Sequence, residues 1–360
     1  MKLTTRLAST LSAAAMIAAS FTGIPAANAG TPAASVAGDT PRAVVTQGEK
    51  ELWGWQPRWR DIIATNPERL HEVWAYSPSM NRDVPLFVIS PRDNSVPRPI
   101  VYVLNGGDGG EGNANWVKQT DIVDFYADKD VWVVIPMAGK FSYYTDWVQD
   151  SPFLGGKQNW ETFMTKELPE PLERALGANG QRAILGMSMS ATTTLLYAEH
   201  QPGFYDMIGS FSGCAQTSAG APLEYLRLTL NRGKSTPEMM WGPVGGPTFA
   251  YNDALLNAEK LRGQQMYISA GTGTAGPHDL WSTPYTQYGD SLQVGVHVIN
   301  GGIIEAAVNR CTHDLKAKLD KAGIGADWNL RPVGTHSWGY WQDDLRLSWP
   351  VIARSFGWQQ

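Results

Sequence analysis

Cysteine is scarce in this chain of 360 residues: Cys214 and Cys311 are its only two, so at most one disulfide can form. Exported thiols tend to pair, which favours that bridge over two buried thiols, although spacing alone does not bring their Cα atoms together. A basic excess is also missing. Lys and Arg total 29 against 34 Asp and Glu, a formal charge of −5. A mildly acidic surface argues against a nucleic-acid partner, which calls for a basic patch. Beyond the first residues, no apolar stretch reaches the ~20 residues a membrane-spanning helix needs. There is no internal repeat, and the absence of G-x-x-x-x-G-K-[ST] excludes a P-loop.

What is present begins with an address. Lys2 and Arg6 precede the apolar run LSAAAMIAASF, and ANA ends at Ala29. A positive start, an apolar middle and an A-x-A end form the pattern of a secretory signal peptide. Residues 1–29 are therefore expected to be removed on export, which takes the formal charge to −7. Residues 30–48, rich in Ala, Thr, Pro and Gly, read as a flexible tail. Residues 49–360 suit one α/β enzyme domain with insertions, and 43% hydrophobic residues supply a large core.

HEVWAYSPSM and DVPLFVISP read as two early strands joined by a polar turn. PIVYVLNGGDGG, KDVWVVIPMAG, RAILGMS, DMIGSFSG, QQMYISAGTG and DWNLRPVGTH read as core strands. Stretches with helical spacing lie between them, such as NWETFMTKELPEPLERAL and ATTTLLYAEH. Short apolar strands alternating with helices predict an α/β fold with a mostly parallel central sheet flanked by helices. Residues 221–262 and 274–300 break the alternation and read as irregular insertions over the carboxyl edge of the sheet, where such folds bind ligands.

One stretch carries chemistry. In AILGMSMSATTTLLYAEH (183–200), Gly186-Met187-Ser188-Met189-Ser190 interrupts a strand just before a helix. Strand, Gly-x-Ser-x-small, then helix is the nucleophile elbow of the α/β-hydrolase fold, which points to Ser188 as nucleophile and the Met189 N–H as an oxyanion donor. Ser190 stands where a glycine is usual. Of six histidines, His336 follows the last strand and precedes the final helical run, where the base should hang over the serine. The acid is open at this level: Asp279, Asp290 and Glu305 all lie between, and fold topology alone favours Asp279. The loop LNGGDGGEGNANW (104–116) can supply a second amide, because its glycines let backbone N–H groups approach an anion without Cβ interference.

Six stretches together resemble one family. YVLNGG and the loop leading to Trp116, SYYTDW (142–147), NWETFMTKELP (159–169), LGMSMS (185–190), MWGP (240–243) and GTHSWGYW (334–341) occur in the order of the antigen 85-type mycolyltransferases, which include the corynebacterial mycoloyltransferases. The resemblance spans about residues 70–345. It implies an exported α/β-hydrolase acyltransferase of the cell envelope that moves a mycolate from trehalose monomycolate through a serine ester. The acceptor would be trehalose monomycolate, trehalose or another envelope hydroxyl. It implies Ser188, Glu305 (in IIE, about thirty residues before the histidine) and His336 as the catalytic set, and Gly107 and Met189 as oxyanion donors. That choice of Glu305 replaces the topological favourite, Asp279.

Where mycobacterial members place an aspartate and an arginine against sugar hydroxyls, this chain has Asn105 and Asp108, which become the expected substrate contacts together with Trp338. A cysteine of those members is Ala270 here. The reading needs no cofactor and no metal. Two competing readings share the fold: an exported carboxylesterase that prefers water as acceptor, and a catalytically silent surface protein.

Overall fold

Runs that are apolar at every position build strands covered on both faces. The computed structural model describes residues 40–51, 59–280 and 291–358. Within them, nine strands form one sheet: β1 (Val44–Gln47), β2 (Leu70–Ser77), β3 (Arg82–Ile89), β4 (Arg98–Leu104), β5 (Trp132–Pro136), β6 (Ala178–Met187), β7 (Met207–Phe211), β8 (Gln265–Ala270) and β9 (Asp327–Leu330). Their order is β1-β2-β3-β5-β4-β6-β7-β8-β9. The first strands pair antiparallel as far as β3–β5, and every pair from β5–β4 to β8–β9 is parallel. This is the α/β-hydrolase fold.

Alternation inside the strands feeds two cores. In β4, Ile100, Tyr102 and Leu104 join one buried cluster, while Val101 and Val103 join the other. In β6, Ile184 faces the first cluster and Ala183, Leu185 and Met187 the second. Helix α1 (Pro169–Leu176) and helix α2 (Met189–His200) lead into and out of β6. Leu172 of α1 and Leu195 and Leu196 of α2 lie in the first cluster, whereas Leu345 and Ile352 of the final helix lie in the second. The sheet is thus covered on both sides, as the strand sequences require.

Three sequence expectations change. The signal peptide at 1–29 and residues 30–39 of the tail lie outside the described residues. The end of that tail is a strand: Val44–Gln47 pairs antiparallel with Val73–Tyr76, and three of its four residues, Val44, Val45 and Thr46, are β-branched. The insertion read as irregular over 221–262 contains helix α3 (Gly220–Arg232) and several shorter turns of helix. The one at 274–300 gives way to helix α4, Ser291–Ala322, a continuous 32 residues. Gly301 and Gly302 look like helix breakers, yet they serve close packing. A Cβ on Gly302 would lie 2.7 Å from the Gly273 carbonyl oxygen, and one on Gly301 would lie 3.3 Å from the His336 nitrogen. Helix α5 (Trp338–Ser355) closes the chain. No described helix is long and apolar enough to cross a membrane.

Cys214 and Cys311 form a disulfide, with Cα atoms 5.0 Å apart across 97 residues of sequence. Closing a loop of that length stabilises by roughly 3–5 kcal/mol on a chain-entropy account, and such bonds persist in oxidising compartments.

Glu199, in the last turn of α2, is 2% exposed, and neither carboxylate oxygen has a hydrogen-bond partner among the described residues. Burial pushes its carboxyl up to about 9, against the pull of Lys260 and Lys318. The folded value lies above the unfolded one, so the folded chain keeps a proton that the unfolded chain releases. The stability this contributes is full below about pH 4 and is lost as pH rises toward 9. We expect Glu199→Gln to flatten that decline and to raise unfolding free energy near neutral pH by about 3 kcal/mol. Urea midpoints measured from pH 5 to 9 check it: parallel curves for the two proteins would contradict the expectation.

Candidate active site

β6 ends at Met187 and α2 begins at Met189, which leaves Ser188 alone on a sharp turn with φ 55° and ψ −121°. A non-glycine residue there carries backbone strain of roughly 1–3 kcal/mol. The turn is pinned on both sides: the Ser188 N–H donates to the Phe211 carbonyl (2.9 Å), and the Ala191 N–H donates to the Ser188 carbonyl (3.1 Å). Gly186 is dictated by sterics, since a Cβ would lie 2.3 Å from the Ser190 carbonyl oxygen. Ser190 is more than a tolerated small residue. Its hydroxyl accepts from the Met187 N–H (3.0 Å) and donates to the Met187 carbonyl (3.1 Å), closing the turn from inside.

Three distant side chains meet at this point. His336 Nε2 lies 2.8 Å from Ser188 Oγ, and His336 Nδ1 lies 2.7 Å from Glu305 Oε2. The His336 N–H donates to the Gly301 carbonyl of α4 (3.0 Å), which sets the imidazole beside the helix that carries Glu305. Glu305 is fully buried, and its Oε1 accepts from Ser212 Oγ and from the Gly271 N–H, both at 2.7 Å. Trp341 Nε1 donates to the same Ser212 Oγ (3.1 Å), and the indole meets the imidazole edge to face at 4.8 Å. With Nδ1–H directed at the carboxylate, the Nε2 lone pair faces the serine hydroxyl. Such an arrangement can take the serine proton and form an ester with an acyl group.

Ser188 and His336 open onto a pocket of about 340 Å³ that Gly107 and Met189 also line. The backbone N–H groups of these two residues have no acceptor among the described residues. The Gly109 N–H donates to the Gly106 carbonyl (2.9 Å), which holds the peptide that carries the Gly107 N–H. Much of the rest of the lining is apolar: Tyr225 and Leu228 come from α3, which also brings Thr229 and Arg232, and Ile303, Ile304 and Val308 come from α4. Leu228 and Ile303 remain 66% and 67% exposed, so the apolar wall continues to the surface. A roomier groove of about 460 Å³, beside His71 and Asn94, holds none of the predicted site residues. Among the described residues, no cluster of His, Cys, Asp or Glu could hold a metal.

Other predicted positions fall elsewhere. Asn105 is buried: its Nδ2 donates to the Pro136 carbonyl (2.9 Å) and its Oδ1 accepts from Trp116 N–H (3.1 Å), so its amide is spent on the loop itself. Asp108 accepts from Gly112 N–H (2.7 Å); burial raises its carboxyl above the ordinary value, and that loop amide offsets part of the rise. Trp338 does not wall the pocket. It packs edge to face between Trp116 (5.6 Å) and Trp341 (5.1 Å) in the second core cluster. Asp279 accepts from Tyr340 OH (2.7 Å) and from Thr335 Oγ1, steadying the segment before His336, and among the described residues it makes no hydrogen bond to that ring. Asp290 lies outside the described residues. Sequence reasoning passed over Ser212 and Gly271. The only hint was the repeated small-residue ending of β7 and β8, SFSG and SAGTG.

Fold and site geometry together define a serine hydrolase or acyltransferase of the α/β-hydrolase class. The sequence matches the family described as putative esterase over residues 77–348. It is 30% identical over 289 residues to the diacylglycerol acyltransferase/mycolyltransferase Ag85A of Mycobacterium bovis, covering 78% of this chain and 80% of that one. It is 29% identical over 262 residues to the corresponding Ag85B of Mycobacterium leprae, covering 71% and 76%. Among solved structures, Mycobacterium tuberculosis MPT51 matches with a TM-score of 0.61 at 22% identity, over 78% of this chain and 96% of that one. A ferulic acid esterase matches at 0.56 and 14%, over 87% and 99%. The chain belongs to the antigen 85-type mycolyltransferase family, within the putative esterases.

Proposed function

We propose that the protein is an exported acyltransferase that takes a mycoloyl group from trehalose monomycolate and delivers it to trehalose monomycolate, trehalose or another hydroxyl of the cell envelope. The observation that carries this reading is the 2.8 Å contact between Ser188 Oγ and His336 Nε2 at the foot of an apolar-walled pocket. Ser188 attacks the ester carbonyl while His336 accepts its proton. The Gly107 and Met189 amides receive the charge that develops on the carbonyl oxygen. Collapse expels trehalose, which takes the proton from His336, and leaves the acyl group on Ser188. A second alcohol then repeats the sequence in reverse, its proton passing through His336. Glu305 holds the imidazole in the required tautomer and balances its charge. Tyr225, Leu228, Ile303 and Ile304 offer the acyl chain a continuous surface, which suits a long lipid better than an acetyl group. The disulfide fits export.

The test is the fate of the acyl group. Incubated with trehalose monomycolate, the purified protein should release trehalose and form dimycolate, and added trehalose should draw acyl groups away from water. Release of free mycolic acid at a rate insensitive to added trehalose would instead mark a carboxylesterase.

A further inference from the structure

Helix α4 is divided by composition. From Ser291 to Ile304 its sequence holds no Asp, Glu, Lys or Arg, whereas ion pairs Arg310–Asp314 and Lys316–Asp320 lie along its second half. The one titratable side chain of the first half, His297, is partly buried, and burial lowers its imidazole, so the stretch is uncharged near neutral pH. This half is nonetheless open to solvent. Val296 and Ile299 are 50% and 64% exposed, and Ile303, one turn on, is as open. At spacings of three and four residues they share one face, an apolar strip of about 10 Å. A helix face left to water ordinarily carries polar and charged side chains. We propose that the first half of α4 and the pocket-facing side of α3 form a docking face that seats the mouth of the serine pocket on an anionic lipid surface.

The second helix continues the strip across the mouth. Tyr225, Leu228, Thr229 and Arg232 line the pocket from one side of α3 at helical spacing. The end of that side is basic. The exposed Arg232 guanidinium lies 5.1 Å from the Phe141 ring, and the exposed Lys234 Nζ lies 4.9 Å from the ring of Phe153, itself exposed. Gly233 permits this seat, since a Cβ there would come within 2.8 Å of Phe141 Cβ. Arg227, on another side of α3, is paired with Glu224 and Glu238, whereas Arg232 and Lys234 pair with no carboxylate among the described residues. Burial raises the Asp108 carboxyl, and the Arg232 charge offsets part of that from a distance.

An apolar strip edged by cations is the pattern of a surface that lies in a lipid headgroup layer without crossing it, and no described helix can cross. The chain as a whole is acidic, at −5, so these cations supply a local attraction that its net charge does not. The strip also runs into the pocket through Ile303 and Ile304. A long acyl ester could then pass from the lipid layer to Ser188 without crossing water, while a second copy of the chain seated there would close that path. The motive rests on the acyltransfer reading above, but vesicle binding is read without any ester present.

The test is cosedimentation with vesicles of phosphatidylcholine alone and of phosphatidylcholine mixed with phosphatidylglycerol. The wild-type protein should bind the anionic vesicles about tenfold more tightly than the neutral ones, a difference that added salt erases. Val296→Ser combined with Ile299→Asp should weaken vesicle binding by about tenfold or more. The same variant should hydrolyse a short soluble p-nitrophenyl ester at the wild-type rate, because neither residue lines the pocket. Lys234→Gln should lose roughly fivefold on anionic vesicles and nothing on neutral ones. Vesicle binding that the double variant retains, equal binding to the two vesicle types, or a wild-type dimer in solution that the double variant splits would each overturn the proposal. Should the double variant unfold, Ile299→Asn alone and Lys234→Gln decide by the same signs. Failure of the acyltransfer reading would show separately, as wild-type protein that docks on vesicles yet forms no dimycolate.

Discussion

Ser188→Ala is expected to reduce acyl transfer by about 10⁴- to 10⁶-fold and to abolish fluorophosphonate labelling, because the variant retains the pocket and the amide donors but has no atom to carry the acyl group. The fold should survive. The 2.9 Å hydrogen bond from residue 188 to the Phe211 carbonyl is made by the backbone and does not need the hydroxyl. Alanine inherits the same φ of 55° without added strain relative to serine. Thermal unfolding should therefore be nearly unchanged, which separates loss of chemistry from loss of structure. Trehalose release within tenfold of wild type would mean that another group accepts the acyl chain.

Glu305→Gln should cost about 10³- to 10⁴-fold in kcat with little change in KM, and the geometry says why. Two donors, Ser212 Oγ and the Gly271 N–H, converge on Oε1 at 2.7 Å. A glutamine must place its carbonyl oxygen there, which turns its NH₂ toward His336 Nδ1. That nitrogen then accepts instead of donating, so the ring proton moves to Nε2 and faces Ser188. The imidazole becomes unable to take the serine proton although every heavy atom stays in place. Steady-state kinetics with trehalose monomycolate checks this; a loss below tenfold would show that the carboxylate is dispensable.

The core strands, the strained turn at Ser188 and the place of His336 beside it were legible in the sequence because each has a local signature. Continuous apolar runs mark strands covered on both faces, the Gly186–Ser190 stretch marks a strained turn, and the position of His336 follows from chain order. What was hidden depends on non-local contacts. Val44–Gln47 is largely exposed, and only pairing with β2 makes it a strand. Helix α4 was hidden by Gly301 and Gly302, whose missing side chains are needed for close approach to two loops. Topology could not single out Glu305 as the partner of His336, because it reaches the imidazole from within a helix and not from a strand end. Asn105 and Asp108 looked like ligands for a sugar, yet a tight loop must first satisfy its own amides, and these side chains do so. Trp338 is two residues from His336, but its ring turns into the core.

The sulfur bridge ties together two segments of the candidate site. Cys214 sits two residues beyond Ser212, and Cys311 sits six residues beyond Glu305. The covalent strap therefore joins the two segments whose hydroxyl and carboxylate must stay in register for the imidazole to be aimed. Reduction of that bond is expected to release the two segments from one another and so to loosen the aim of the imidazole.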